Sequence, residues 1–531
     1  MCYVIVMKPK AKVVHRIILA AAILTFFAAA AKAAPAATAV AQTASVSTAA
    51  AQISYDPEQA AAFMELNRLR TAAGLPAAAM DPSLTSAARA HALYYVTHAS
   101  DSAMAGLGAH TEVPGTAGFT GATPLDRALH FGFSGQEVAE VMHFVPTAEQ
   151  AVEGWRDSVY HRLALLDPRL TKVGYGYAQA GSIWVNTMDL GGNADASGIT
   201  APVLYPYPGE NNVPVDFDGN EIPNPLRNIP GLKTPVGYPI TVQFGHLPVA
   251  SISQVKAALY DQDGTAVDIA VLTPDDDSYL GSAIAVIPAH PLACDHVYTV
   301  RVHALLQENA TPVPWSAEWT FRTSSYPVPR VQSIRWVTSG GGIRSVTLFG
   351  SGLGTFDRLY LGGAPATPVS ATAGSVTYQV SPEAIGPQYD LLVVTPDWQA
   401  FTWQDAITLS GTKPPLPAPV TLVVDGQVVN APVYQIAGRI LVPLRAVAEG
   451  LQADVQWIGP SRRVYFQRED QKVSVVVNSL AATVDGRPAY LDVPPVLVAD
   501  RTYVPVRFVA ESLGARVDWD QSRRTVIVTT Q

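Results

Sequence analysis

Apolar and polar positions follow three different rhythms along this chain. Ile17 to Ala31 is apolar apart from Thr25, with Lys8, Lys10, Lys12 and Arg16 before it and Lys32 after. A helix of that length reaches about 22 Å, short of a hydrocarbon core of about 30 Å. The pattern predicts a signal peptide over 1–33, with Ala31 and Ala33 at the cleavage positions; an uncleaved signal anchor is the alternative. Residues 34–52 are uncharged and rich in Ala, Thr and Ser, a low-complexity spacer. From 53 to 193 the apolar spacing becomes helical. Ala61, Phe63 or Met64, Leu66 and Leu69 predict a helix from Glu58 to Ala72, ended by Gly74. Asp56-Pro57 and Asp81-Pro82 each place a capping oxygen before a proline at the first helical position, and the second predicts a helix to about Ala99. Pro124 opens a short helix, and Thr147 with Gln150 forms a capping box for another, whose stripe is Ala151, Val152, Trp155 and Val159. Val173–Ala178 and Ser182–Met188 read as strands.

From Pro202 the period falls to 2, as in Ile240–Phe244, Val297–Val302 and Ala317–Arg322, with turns such as Asp263-Gly264 between runs. This predicts a β-sandwich over 202–325 and a smaller, glycine-rich one over 329–410. Residues 411–419 hold four prolines and read as a stiff linker. Beyond it, Val442-Pro-Leu-Arg-Ala-Val-Ala-Glu449 recurs as Val504-Pro-Val-Arg-Phe-Val-Ala-Glu511, and Trp457 recurs as Trp519, both offset by 62. Asp425-Gly426 and Asp485-Gly486 mark hairpins that open the two copies. Each copy reads ββαββ, and the pair predicts one α+β domain over 420–531.

Composition narrows the class. A length of 531 residues requires several cores. With 35 basic against 44 acidic residues there is no basic field, and nucleic acid is not an expected partner. Membrane contact is expected only through the leader, if it is retained. Cys2 precedes the apolar run, so Cys294 is the only cysteine of the mature chain and no intramolecular disulfide is expected. An exported bacterial protein stabilised by packing fits this pattern.

No HExxH, Walker, nucleotide-fingerprint or GxSxG motif is present. Six of the 11 histidines fall in the first folded region: His91, His98, His110, His130, His143 and His161. His91 and His98 share one face of the second helix and read as structural or surface residues.

Residues 58–190 resemble the CAP superfamily (cysteine-rich secretory, antigen 5 and pathogenesis-related-1 proteins) in a cysteine-poor bacterial form. The resemblance rests on Phe63–Arg70, Asp81–Leu84, Ala109-His-Thr111, Pro124–Arg127, Gln136-Glu137, Ala148–Val152, Trp155-Arg-Asp-Ser-Val-Tyr-His-Arg162, Leu165–Pro168 and Val173–Tyr177. It implies an α-β-α sandwich with a cleft holding His110, Glu137 and His161. His110 lies in a glycine-rich loop, Glu137 follows Ser134-Gly135, and His161 is expected at a helix end, where the negative pole favours imidazolium. Converging, the three could hold a divalent metal such as zinc or move protons; a polar network that only pins the loops is the other reading. The usual Gly-Glu-Asn reads Gln136-Glu137-Val138, Tyr160 replaces a glycine, and the second acidic position falls near Ser158, with Asp157 and Glu112 as substitutes. Tyr160 is expected to narrow the cleft.

The middle regions resemble bacterial Ig-like modules, the second an IPT/TIG domain. Residues 420–530 resemble the domain named for the N-terminal part of copper amine oxidases. Its Val-Pro-x-Arg and tryptophan motifs give Arg445, Arg507, Trp457 and Trp519 structural roles, the arginines as hydrogen-bond donors to backbone or acid; copper is not implied. No cofactor is required by these readings. The expected function is a secreted envelope protein whose head binds cell-wall glycan, peptide or lipid. The alternative is a metal- or histidine-dependent hydrolase of wall polymer or peptide.

Overall fold

The computed structural model describes residues 2–6 and 56–530, apart from 182, 193–200, 246, 248–250, 309–310, 340–341, 355–357, 373, 387, 397–399, 410–417, 419 and 460. The apolar leader run, the 34–52 spacer and most of the 411–419 linker lie outside the described residues. Cys2–Val6, at the start of the leader, pairs as a strand with Arg330–Ser339. No helix among the described residues is long and apolar enough to cross a membrane.

The head is an α-β-α sandwich. Helix α1 (Pro57–Ala72) is capped by Asp56, which accepts from the Gln59 amide at 3.0 Å, and α2 (Pro82–His98) by Asp81. The buried face of α1 carries Ala62, Leu66 and Leu69, while Met64 is exposed. A four-stranded sheet runs in the order Ala79–Met80, Leu170–Ala180, Ile183–Gly192, Val138–His143. Helix α2 lies directly on this sheet because Gly174 and Gly176 have no side chains. A Cβ there would stand 2.0 Å from the Leu84 carbonyl carbon and 2.2 Å from the Arg89 nitrogen. Helix α3 (Pro124–His130) packs beside α2, with its Ala128 and the following Phe133 against Leu84 and Ala87. Helix α1 and α4 (Ala148–Arg156) cover the other face through Leu66, Val152 and Trp155.

The stripe expected to continue through Val159 is interrupted. Helix α4 stops at Arg156 and α5 starts afresh at Val159, running to Leu165. Ser158 makes no side-chain capping bond there. The carboxylate of Glu221, from the next domain, accepts instead from the amides of Val159, Tyr160 and His161 at 2.7, 2.7 and 3.0 Å. An acid at a helix N-terminus satisfies orphan donors and complements the helix dipole.

The second region forms two four-stranded sheets, 269–272, 283–288, 240–243, 203–205 and 266–267, 252–260, 297–308, 311–322. Its core is continuous with that of the head: Trp155, Tyr175 and Met188 share one buried cluster with Tyr238, Ile240 and Phe244. Strands between Arg330 and Thr408, with Cys2–Val6 at one edge, make a single eight-stranded ladder around its own core rather than two separate sheets.

In the C-terminal domain, Asp425 and Asp485 adopt φ of 46° and 51°, each followed by a glycine at 78° and 74°. Paired left-handed residues are what a tight hairpin demands. The repeats meet across an antiparallel pair in which Val442 faces Val504, with helices α6 (Leu444–Gly450) and α7 (Val506–Ser512) after the strands. Arg463 of this domain reaches the head, binding Glu58 at 2.6 Å and also Glu149, in a largely buried contact.

Candidate functional site

The head's second face hides a cluster of charge beneath one exposed imidazole. Alternation along Val138–His143 sends Glu140 and Met142 toward α2 and α3, and Val141 the other way. Register places Glu140 opposite Asp189 on the neighbouring strand. Both carboxyls are buried, as are His91 on α2, Glu112 and Arg127 on α3. Arg127 Nη2 donates to Glu140 Oε2 at 2.6 Å and Nη1 to the His110 carbonyl at 3.1 Å. His91 Nδ1 lies 3.1 Å from Glu112 Oε1 and Nε2 lies 2.8 Å from the Ala109 carbonyl. Glu112 Oε2 accepts from the amides of Thr120 and Gly121 at 2.6 and 3.3 Å, which ties down the loop between them. His110 ends a short helical segment, Gly106–His110, and its Nδ1 stands 2.9 Å from Glu140 Oε1. Its side chain is 26% exposed, in contrast to the residues beneath it.

Two carboxyls this close cannot both stay ionised without cost. Burial pushes Glu140 up, but His91, Arg127 and His110 outweigh it and hold its carboxyl down to about 2. Asp189 is raised well above the usual carboxylate range, first by burial and then by the Glu140 charge. The surroundings thus favour ionisation of Glu140 and oppose it at Asp189. Burial also opposes ionisation of Glu112, yet hydrogen bonds from His91 and Thr120 and the charge of Arg127 lower it overall.

The expected trio is not assembled. Glu137 is half exposed at the surface, with Oε2 3.7 Å from Arg169 Nη1. Glu140, three residues on, is the carboxylate beside His110. His161 lies in the first turn of α5, not at a helix C-terminus, so the helix dipole there favours anions rather than imidazolium. Its Nδ1 stands 2.8 Å from Glu221 Oε1 and 3.0 Å from Ser158 Oγ. His143, at the end of the Glu140 strand, is lowered to about 4 by burial and by nearby His161. Among the described residues, no three His, Cys, Asp or Glu side chains are arranged to hold a metal ion. His110 and His161 each meet a carboxylate through Nδ1, Glu140 and Glu221 respectively, and Glu137 stands apart beside Arg169.

The Trp155–Arg162 motif mostly builds the joint with the second domain. Tyr160 hydroxyl donates to Asp277 at 2.5 Å and accepts from Arg227 at 2.7 Å, both in the second domain. Asp157 accepts from Tyr238 at 2.8 Å. Arg162 donates to the Pro239 carbonyl at 2.7 Å and lies over the Tyr205 and Tyr238 rings at 4.5 and 4.9 Å. In the C-terminal domain the repeat arginines meet an acid, but at the surface. Arg445 and Arg507 are 61% and 71% exposed, each beside the glutamate one turn on, at 3.3 and 3.7 Å. Trp457 and Trp519 are 40% and 43% exposed.

Sequence reasoning missed Glu140, Asp189, Arg127 as a network member, and Glu221. The signal for the first two was present: each is an acid flanked on both sides by apolar residues within a strand. Nothing local marked Glu221, which acts across a domain boundary.

Comparison with known proteins agrees with two parts of this chain. The family described as "Cysteine-rich secretory protein family" matches residues 63–188, and that described as "Copper amine oxidase N-terminal domain" matches 423–528. The uncharacterized protein YkwD of Bacillus subtilis (strain 168) is 36% identical over 63 residues, 12% of this chain and 24% of that protein's length. An outer surface protein from Borrelia burgdorferi is 20% identical, covering 25% of this chain and 89% of that one, at a TM-score of 0.21. An extracellular SCP-domain protein from Bacillus anthracis str. Ames is 21% identical, covering 26% and 40%, also at 0.21. The chain thus carries a CAP-superfamily domain near its N-terminus and a domain of the copper amine oxidase N-terminal type at its C-terminus.

Proposed function

We propose that this is an exported cell-envelope binding protein whose head engages its ligand around His110 and whose C-terminal repeats hold it to the wall. The leader-like N-terminus, the CAP domain and a mature chain with one cysteine support export. One observation carries the head site: a partly exposed imidazole, His110, stands on a buried network of Glu140, Arg127, His91 and Glu112. Such networks add little net stability over apolar packing. Their use here is to fix the His110 ring and its loop. Leu107, in the same helical segment, and Phe144, just past the Glu140 strand, are exposed apolar side chains that suit a peptide, a lipid or the apolar face of a glycan. Retention of the mature chain on purified sacculi, anionic lipid vesicles and immobilised wall peptide tests this. Replacing His110 by Ala should weaken one of the three; equal retention on all of them removes the head site.

A second reading is favoured by Glu140 on Nδ1 of His110. A carboxylate at one ring nitrogen orients the other as a base, so a histidine-driven hydrolase of wall peptide or polymer is the alternative. Release of soluble fragments from labelled sacculi, abolished in His110→Ala, would establish it; absence of turnover by the wild-type chain would end it.

A further inference from the structure

Each C-terminal repeat carries an exposed tryptophan and an exposed Arg–Glu pair. In the first copy Arg445, Glu449 and Trp457 border a groove of about 470 Å³. Its apolar lining includes Leu444, Val455, Val464 and Leu497, and Asn430, Arg501 and Thr502 supply polar atoms. Two residues that line the groove differ between the copies. Ala446 stands where the second copy has Phe508, whose ring packs against the domain core. Asn430 stands where the second copy has Asp492, which binds Arg439 at 2.8 Å. Arg501 is the counterpart of Arg439, and it lines the same groove as Asn430.

We propose that this groove binds a glycan strand of the cell wall, with one sugar ring stacked on Trp457 and its hydroxyl or acetamido edges on Asn430, Arg501 and Thr502. A pyranose has an apolar C–H face and a polar edge, and the groove offers an indole and an aliphatic floor next to a hydrogen-bonding side. The charges around it balance, Arg445 and Arg501 against Glu449 and Asp500, which favours an uncharged saccharide over an ionic ligand. The wall as the source of the glycan rests on the anchoring role given above; the groove itself does not.

The test uses the full mature chain, protein-free sacculi and the soluble tetramer of N-acetylglucosamine. Ala446→Phe rebuilds the side chain that the second copy already accommodates, and Trp457→Ala removes an exposed ring, so both variants should melt like the wild type. Each should weaken sacculus binding by about tenfold or more, whereas Trp519→Ala should leave it unchanged. Tetramer binding should quench tryptophan fluorescence in the wild type and not in Trp457→Ala. If the wild type binds sacculi and both groove variants bind equally well, the groove proposal is overturned, and retention falls to the head or to the rest of the C-terminal domain. If sacculi are not bound but the tetramer is, through Trp457, the groove stands and the wall is the wrong source. Binding to neither overturns both.

Discussion

Arginine meets carboxylate in two opposite settings in this protein. In the head, Arg127 is buried with Glu140, Glu112 and Asp189 around it. In the C-terminal domain, Arg445 and Arg507 face solvent beside Glu449 and Glu511. The local chemistry is alike, but the dielectric around it is not. A buried charge that loses its partner stays unsolvated, whereas an exposed one returns to water. The first setting can therefore hold geometry, and the second can only offer itself to a ligand.

The largest effect expected from breaking this contrast is in the head. Arg127→Met should destabilise it by about 3–5 kcal/mol, because Glu140 and Glu112 keep their burial without their cation. Denaturant-dependent hydrogen exchange of the head amides measures this, and a loss below about 1 kcal/mol would show that the network is solvated. Acid should act in the same direction. Glu140 sits at about 2 in the folded chain against an ordinary 4.5. Its contribution is thus present above pH 4.5 and is lost as pH falls toward 2, up to about 3 kcal/mol. The stability gap between wild type and Glu140→Gln should shrink over that window; a gap independent of pH would contradict the ionised assignment. Removing Glu221, which holds three α5 amides and His161, should cost about 1–3 kcal/mol. Thermal melting of Glu221→Ala checks this, and a melt unchanged from wild type would leave the α5 cap without weight.

Asp189→Asn sharpens the comparison inside the network. Asn resembles the protonated acid, so at neutral pH the change should be within about 1 kcal/mol. A cost as large as that of Glu140→Gln would mean the charge sits on Asp189. Arg507→Ala should be the smallest effect, within about 0.5 kcal/mol by denaturant unfolding, as for other exposed i,i+4 pairs.

Several elements of this architecture follow from local physics and were legible in the sequence. Asp56, Asp81 and Thr147 cap the helices they precede, since a short side-chain oxygen and the following amides need no distant partner. Asp425-Gly426 and Asp485-Gly486 form tight turns for the same reason. The 62-residue repeat predicted two copies meeting in one domain, because each exposes an apolar face that only the other can cover. The site was less legible. A strand alternates its faces every residue, so choosing Glu137 over Glu140 depended on where Val138–His143 begins and what it pairs with. Register against Asp189, not motif spacing, settled that. His161 was read at the wrong end of a helix because the break at Asp157–Ser158 is stabilised by Glu221, 60 residues further along the chain. Burial of Arg127 and exposure of Arg445 likewise depend on which elements cover them. Sequence determined the turns, caps, repeat and module types, which are short-range. Tertiary structure alone decided which charges share a low-dielectric pocket, because that depends on groups brought together from distant parts of the chain.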